Sequence, residues 1–284
     1  MMKISDAWRT DADGLPEIDD PERAKCRATR CLPEEVGDYV LLPGDPARAA
    51  MIAKEWFDDG ELVMANREFH SYTGHYKGVR MSVISTGLGS PGATMVVQDL
   101  PKLGVKAAIR VGTAGSAVEH VKPGDLVIAN GAVRDEGVSH KFVPAQFPAV
   151  PNAELTETLR RVAKELDDNS GSTTHTGIVH TSDAFTCPDL GELQTMYGNA
   201  GVLAFEMEAA AVLVIAGLNK LAAACIVSID GYVSNVAAGN TVPDAGARDK
   251  GIRNAITIAL DSLVFQARRD EDIYNQKDSA QGAS

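Results

Sequence analysis

The stretch TGLGSPGATMVVQDL, residues 86–100, joins a glycine-rich loop to an apolar run with helical spacing. Gly87, Gly89 and Gly92 stand at G-x-G-x-x-G spacing, and a β-type run that ends at Ile84 precedes them. A strand, a glycine turn and a helix in this order are typical of α/β proteins. The same spacing occurs in loops that hold the pyrophosphate of a dinucleotide. The stretch therefore predicts an α/β fold and leaves the role of its loop to be decided by the rest of the chain.

Short β-type runs alternate with helical stretches on both sides of this loop. The β-type runs are Tyr39–Leu42, Met81–Ile84, Ala107–Val111, Leu126–Ile128 and Ala222–Ile229, and the helical stretches are Ala47–Phe57, Ala93–Leu103, Leu155–Leu166, Glu206–Leu218 and Ile252–Arg268. This alternation predicts a single α/β domain over residues 37–268, with a central mixed β-sheet flanked by helices. Residues 1–36 are expected to form a loosely ordered polar extension, and residues 269–284 a polar C-terminal tail.

Composition excludes several classes of function. The 284 residues carry a formal net charge of −12, which argues against nucleic acid or an anionic membrane as a partner. The N-terminus lacks the apolar segment of a secretory signal, and no run approaches the ~18 apolar residues of a membrane span. The four cysteines are too few for a disulfide scaffold, and Cys26 and Cys31 have no second such pair to complete a zinc site. We therefore expect a cytoplasmic protein without a structural metal, in which an anionic substrate binds only where basic residues are concentrated.

A dinucleotide site needs an acidic residue roughly 20 positions after the glycine loop, to hold a ribose. The segment at that distance, AAIRVGTAG (residues 107–115), contains Arg110 and no carboxylate. A lone G-x-G-x-x-G is also weak support, because tight turns need glycine for steric reasons alone. The sequence thus disfavours a dinucleotide-dependent oxidoreductase.

Two arginines occupy positions that suit an anion. In LLPGDPARAAMIA (residues 41–53), Asp45 is a good N-cap and Pro46 a good first helical residue, so the open backbone N–H groups of a helix start lie beside Arg48. Arg110 lies inside an apolar β-type run, where a charge is costly unless something anionic meets it. An ordinary capped helix and a structural Arg–carboxylate pair are the alternatives.

Carboxylates stand in two similarly apolar settings. In LAFEMEAAAVLVIAG (residues 203–217), Glu206 and Glu208 are predicted to open a strongly apolar helix. In CIVSIDGYVSN (residues 225–235), a buried strand is predicted to end on Asp230, a common place for an active-site carboxylate in an α/β sheet. Helix capping and a simple turn are the alternatives.

These stretches, together with MANREFHSYTGHYKG (residues 64–78), resemble the purine and uridine nucleoside phosphorylase family in type and in order. The opening stretch departs from the family pattern at Gly92, Met95 and Asp99, where serine, isoleucine and glutamate are usual. The resemblance implies an enzyme that transfers the ribose of a nucleoside to inorganic phosphate, without a metal or organic cofactor. Its glycine loop is then a tight turn beside the nucleoside pocket.

The resemblance also implies roles for individual residues. It places phosphate on Gly44, Arg48, Arg110, Thr113 and, reaching across a subunit interface, Arg67. It places the ribose and base on Gly115, Phe185, Glu206, Met207 and Glu208. Arg110 and Asp230 are the expected catalytic residues, with Asp230 protonating or hydrogen-bonding N7 of a leaving purine. Because Arg67 would act in the site of a neighbouring subunit, the resemblance implies an obligate oligomer, expected to be a homo-hexamer.

The preferred base depends on one contrast. Uridine phosphorylases read uracil with a Gln-x-Arg pair, whereas this chain offers Gln194 and no arginine between Arg161 and Arg248. Because Asp230 is present and the uracil pair is not, the sequence favours inosine- or guanosine-type nucleosides. Uridine phosphorylase is the alternative. Methylthioadenosine phosphorylase also stays open, because the N-terminal histidine that often meets the ribose 5′-hydroxyl is absent: the first histidine is His70. A catalytically silent binding protein is disfavoured because the phosphate arginines and Asp230 are all present.

Overall fold

The computed structural model describes residues 21–170, 172–240 and 245–281. The strands are β1 (Tyr39–Leu42), β2 (Glu61–Asn66), β3 (Phe69–Tyr76), β4 (Val79–Ile84), β5 (Ala107–Ser116), β6 (Leu126–Asp135), β7 (Thr174–Ser182), β8 (Val202–Glu206) and β9 (Ala222–Tyr232). The α-helices are α1 (Pro46–Glu55), α2 (Ser90–Asp99), α3 (Ala153–Ser170), α4 (Leu190–Asn199), α5 (Ala209–Leu218), α6 (Val233–Ala237) and α7 (Ala245–Gln281).

The strands form one mixed sheet in the order β2-β3-β4-β1-β5-β8-β7-β6-β9. β1 pairs in parallel with β4 and β5, whereas β3 pairs antiparallel with β2 and β4. β5 also pairs in parallel with β9, so that β5, β8, β7, β6 and β9 close into a ring of pairings. The predicted α/β domain with a central mixed sheet is confirmed.

Helices cover the two faces of the sheet because its strands alternate their side chains between them. In β1, Tyr39 and Leu41 enter a core cluster with α1, α3 and α7, whereas Val40 and Leu42 enter a second cluster with α2 and α5. α5 is apolar all round and buried from Ala209 to Ala216, as expected for a helix enclosed on every side. No helix in the described ranges combines the length and the hydropathy that a bilayer span requires.

The N-terminal segment differs from the expectation. Residues 1–20 lie outside the described residues, but residues 21–36, expected to be loosely ordered, pack against the domain. Cys26, Ala28, Cys31 and Val36 are buried in the cluster with α2 and α5. The sequence prediction missed this packing because these four small or apolar side chains are scattered among charged residues. At the other end, α7 continues through much of the expected tail to Gln281.

Several boundaries also differ from the sequence prediction. β5, β6 and β9 extend beyond their apolar runs, to Ser116, Asp135 and Tyr232. The helix expected to begin at Glu206 begins at Ala209, because Glu206 ends β8. The differences in β5 and β9 bear directly on the site described below, since their extra residues include Thr113, Gly115 and Asp230.

Candidate active site

A pocket of about 400 Å³ lies at the carboxyl ends of β1, β5 and β9. This edge of an open parallel arrangement is where α/β folds bind ligands. Every predicted site residue except Arg67 lines the pocket: Gly44, Arg48, Arg110, Thr113, Gly115, Phe185, Glu206, Met207, Glu208 and Asp230. The structure thus brings together side chains that are up to 186 positions apart in the sequence.

Unequal strand lengths create the pocket. β1 ends at Leu42, which pairs with Arg110 of β5, whereas β5 runs on to Ser116. The chain leaving β1 turns through Gly44 into α1, whose N-cap Asp45 accepts a hydrogen bond from the Ala47 backbone N–H at 2.8 Å. Beyond Arg110, β5 therefore has no β1 residue beside it, and its residues 112–115 form a pocket wall.

Arg48 lies in the first turn of α1, half-buried in the pocket. Burial lowers its pKa, and the nearby Arg110 and Arg248 guanidiniums lower it further, although Asp45 opposes them. Arg48 has no carboxylate within salt-bridge distance among the described residues. A guanidinium destabilised by burial and by like charge is suited to gain from an incoming anion.

Arg110 lies at the bottom of the pocket and is only 3% exposed. Its Nε and Nη2 each lie 2.9 Å from Oε2 of Glu206, and Nη2 also contacts Oε2 of Glu208. Burial alone would lower the pKa of Arg110, but Glu208 and Glu206 outweigh it and raise that pKa. The structural Arg–carboxylate pair is therefore present, in a position that also lines the pocket.

Glu206 holds this cluster together. Its Oε2 accepts hydrogen bonds from the backbone N–H groups of Glu208 and Ala209, both at 2.8 Å, in addition to Arg110. Its Oε1 accepts from the Ala209 N–H at 2.9 Å and from the Thr181 hydroxyl. With every acceptor position occupied and the side chain 0% exposed, Glu206 anchors the start of α5 and orients Arg110. Sequence reasoning missed Thr181, which nothing in its local sequence marks.

The glycine loop of the opening stretch contacts this cluster. The Gly89 N–H donates to Oε1 of Glu208 at 2.6 Å, and the Ser90 hydroxyl donates to the Met207 carbonyl at 2.8 Å. Gly89 has φ +90°, a conformation that favours glycine. Burial raises the pKa of Glu208, with Glu206 adding to the rise and Arg110 opposing it. The loop therefore binds a side chain of its own protein, at the entrance to the pocket.

Asp230 of β9 also lines the pocket, beside the Thr113 hydroxyl. Burial raises its pKa, while Arg248, the Thr113 hydroxyl and Arg48 act in the opposite direction. A carboxyl group with a raised pKa keeps its proton to higher pH and can donate it. Arg248 of α7 was missed by sequence reasoning, because it lies in a polar stretch without a motif.

One part of the pocket lining is apolar. Leu190, Phe205, Val233 and Val236 line it, and Phe185 stands at the mouth with 63% of its surface exposed. Such a wall suits the faces of a planar base, with few polar groups to orient it.

A histidine supports this wall from behind. His180 is 1% exposed and stacks on Phe205 with ring centroids 4.2 Å apart. Burial lowers the pKa of His180, although Asp135, 3.2 Å away, and Glu206 oppose the shift. The ring thus fixes the position of Phe205.

Arg67 lies outside this pocket. It occupies the tight β2–β3 turn with φ +57° and lines a different cavity. Its neighbour Glu68 does line the pocket and packs against Gly87, where an added Cβ would lie 2.6 Å from the Glu68 side chain. Within one chain, Arg67 therefore does not join the other predicted phosphate ligands.

Known proteins share this fold and sequence pattern. The family model described as the phosphorylase superfamily matches residues 38–264. The chain belongs to this superfamily. A uridine phosphorylase of Thermococcus kodakarensis is 35% identical over 254 residues, covering 85% of this chain and 87% of that protein. A guanosine phosphorylase of Halorubrum lacusprofundi is 35% identical over 206 residues, covering 72% and 82%.

A solved structure extends the likeness to three dimensions. The purine nucleoside phosphorylase of Toxoplasma gondii, in complex with immucillin-H, matches with a TM-score of 0.77 and 28% identity, over 85% of this chain and 96% of that one. The predicted membership of the purine and uridine nucleoside phosphorylase family, and with it the class of pentosyltransferase enzymes, is confirmed. Relatives at about the same identity carry both purine and uridine names, so the base is a separate question.

Proposed function

We propose that this phosphorylase cleaves purine ribonucleosides of the inosine or guanosine type, releasing the free base and ribose 1-phosphate in nucleoside salvage. The single observation that carries the choice of base is Asp230, a carboxyl group that lines the pocket and whose pKa is raised by burial. A purine anion is a poor leaving group, and a protonated carboxyl group can supply its N7 with a proton as the bond breaks.

The reaction follows from the order of groups along the pocket. Phosphate on Gly44, Arg48, Arg110 and Thr113 attacks C1′ from the side opposite the base, with inversion. The bond from C1′ to the base breaks, its electron pair leaves with the purine, and Asp230 donates a proton to N7. Positive charge develops on the ribose in the transition state, and the phosphate dianion stabilises it. Inorganic phosphate is thus the co-substrate, and the proposal includes no metal or organic cofactor.

Binding of the ribose is assigned to the E-M-E segment. Glu208 takes the 2′- and 3′-hydroxyls and Met207 packs on the sugar, beside the backbone of Gly115. Glu206 acts through Arg110 and the start of α5, because its oxygens are fully occupied. Phe185 covers the sugar and base from the mouth.

A second observation disfavours uracil as the base. Gln194, the one glutamine near the position of a uracil reader, donates its Nε2 to the Ala117 carbonyl at 2.5 Å, and it does not line the pocket. Uridine phosphorylase remains the second candidate, since relatives with that name are equally similar.

The assembly and location are part of the same proposal. Arg67 completes the phosphate site of a neighbouring subunit, which requires an oligomer, proposed to be a cytoplasmic homo-hexamer. The exposed position of Arg67 on the β2–β3 turn, outside its own pocket, supports this assignment.

Base release from inosine, guanosine, uridine and methylthioadenosine, each with and without phosphate, tests the proposal. We expect phosphate-dependent release of hypoxanthine and guanine, reduced about 100- to 10,000-fold in Asp230→Ala, the usual contribution of a general acid. Gln194→Ala is the matched control and should not change the preference for purines. Uracil as the main product would overturn the assignment of the base, and release without phosphate would overturn phosphorolysis.

A further inference from the structure

The charges that line the pocket do not balance in favour of phosphate. Two arginines, Arg48 and Arg110, face five carboxyl side chains: Asp45, Glu68, Glu206, Glu208 and Asp230. Arg110 is moreover already paired with two of these carboxylates. Arg248 acts on Arg48 and Asp230 without lining the pocket, and Asp230 carries a proton in the proposed reaction. Further positive charge would still strengthen the binding of a dianion here.

Three unpaired arginines lie together elsewhere on the chain. Arg27, Arg30 and Arg67 line a cavity of about 430 Å³. Among the described residues, none of their guanidinium groups forms an ion pair, and Nε of Arg30 is buried without a hydrogen-bond partner. Three arginines that line one cavity, in a chain of net charge −12, are suited to meet an anion.

Buried polar contacts fix the N-terminal segment that carries two of these arginines. Oδ2 of Asp99 accepts from the backbone N–H groups of Ala28 and Thr29, at 2.9 and 3.1 Å. Arg23 bonds the Arg30 carbonyl at 3.0 Å and pairs with Glu35. These contacts therefore hold the backbone of residues 28–30 in a fixed position against the domain.

A further contact joins the segment to the turn that carries Arg67. Nδ2 of Asn66 donates to the Ala28 carbonyl at 2.6 Å. Arg30 and Arg67 both hold a left-handed backbone conformation, with φ of +54° and +57°. Residues other than glycine adopt this backbone conformation where the surrounding structure holds them in it. The three arginines are thus held as one unit.

We propose that Arg27 and Arg30 act together with Arg67 on one anion, the phosphate co-substrate in the pocket of a second copy of this chain. The inference rests on the proposed function, in which Arg67 reaches a neighbouring pocket. It adds that the N-terminal segment completes that pocket and supplies most of the positive charge that a single chain lacks.

Steady-state kinetics of Arg27→Gln, Arg30→Gln and the double variant test this inference, with inosine and inorganic phosphate as substrates. We expect the KM for phosphate to rise about tenfold for each arginine removed, since a hydrogen bond to a charged group is worth about that factor. The KM for inosine should stay unchanged. Arg268→Gln on α7 removes the same charge away from both cavities and should match the wild type. Arg27→Lys with Arg30→Lys, which keeps the charge, should recover part of the loss.

A mixed oligomer shows whether the arginines act across subunits. One chain carries Arg27→Gln, Arg30→Gln and Arg67→Gln with an intact pocket, and the other carries Asp230→Ala with intact arginines. Each alone is expected to be nearly inactive, and co-expression should restore activity, because intact pockets then meet intact arginines.

The outcomes separate the two proposals. A wild-type chain without phosphate-dependent base release refutes the proposed function. An active wild type whose glutamine variants keep the wild-type KM for phosphate, or change only the KM for inosine, overturns this inference alone. Failure of the mixed oligomer to regain activity overturns this inference together with the proposed cross-subunit role of Arg67, because the arginines would then serve their own chain, but it leaves the proposed reaction standing.

Discussion

Replacing Glu206 by glutamine tests the buried cluster at the bottom of the pocket. The carboxylate accepts hydrogen bonds from Thr181, Glu208 and Ala209 and pairs with Arg110, all with less than a tenth of their surface exposed. Glutamine keeps the shape, but its NH2 group must face at least one of these donors, and the charge opposite Arg110 is halved. Removing one partner of a buried pair costs about 3–5 kcal/mol. We therefore expect the free energy of unfolding to fall by that amount.

Two measurements check this expectation. Urea unfolding at a fixed chain concentration gives the free energy, of which single domains usually have about 5–15 kcal/mol. Phosphate kinetics give the orientation of Arg110: the guanidinium loses its main support, so the KM for phosphate should rise about tenfold, the equivalent of one charged hydrogen bond. Glu61→Gln, at the exposed start of β2, is the matched control and should change stability by less than about 0.5 kcal/mol.

A small effect would refute the reasoning. If Glu206→Gln unfolds within about 1 kcal/mol of the wild type and keeps the same KM for phosphate, one carboxylate suffices to hold Arg110 in place. Glu208 would then be the residue that positions the arginine, and the several hydrogen bonds of Glu206 would contribute no more than a neutral amide does.

Three further predictions concern Asp230, Asp99 and Gly112. Because burial raises the pKa of Asp230, its acid form persists to higher pH and is lost as pH rises through that pKa. The value of kcat/KM for inosine should therefore fall on the alkaline side of this pKa. The Asp230→Asn variant should be slower at every pH and should not show this fall. Asp99→Asn should weaken the two backbone hydrogen bonds to the N-terminal segment by about 1–2 kcal/mol. Limited trypsin digestion should then cut within residues 23–35 sooner than in the wild type. Equal digestion rates would mean that Asp99 does not hold this segment in place. Gly112→Ala places a methyl group 2.8 Å from Nη2 of Arg110, which should lower stability by about 1–3 kcal/mol and raise the KM for phosphate; an unchanged KM would mean that the guanidinium is free to move.

The sequence predicts the fold well wherever a strand is apolar on both faces. β1 and the first halves of β5 and β9 are such strands, and each was located from its apolar run. β3, with the sequence FHSYTGHY, was missed because polar side chains and two histidines alternate with buried residues near an edge of the sheet. β8 was missed and its last residue, Glu206, was assigned to the following helix, since VLAFE continues without a break into the apolar run of α5. Period and length alone do not separate a short strand from a buried helix there.

The site was predicted residue by residue but not contact by contact. Motifs identify Arg110, Glu206 and Glu208 as chemically important, yet their mutual pairing joins positions 96 apart in the sequence, and the Gly89–Glu208 bond joins positions 119 apart. Such contacts are set by how the sheet closes, which no local pattern encodes. Thr181 was missed for the same reason: its hydroxyl donates to Glu206, a contact that exists only once the fold places the two residues side by side.

The balance of positive and negative side chains in the pocket is the property that sequence motifs predict least well. Counting arginines by motif suggests a pocket rich in positive charge, because each arginine is noted and its neutralising partner is not. In the folded chain the carboxyl groups outnumber the arginines at the pocket, and Arg110 is the most heavily compensated. Among the described residues, Arg48 forms no ion pair inside the pocket, and Arg27, Arg30 and Arg67 form none at the cavity between the N-terminal segment and the β2–β3 turn. If the arginines of this second cavity complete a neighbouring pocket, as proposed above, phosphate affinity rises on assembly, and binding of phosphate and association of subunits become one coupled equilibrium.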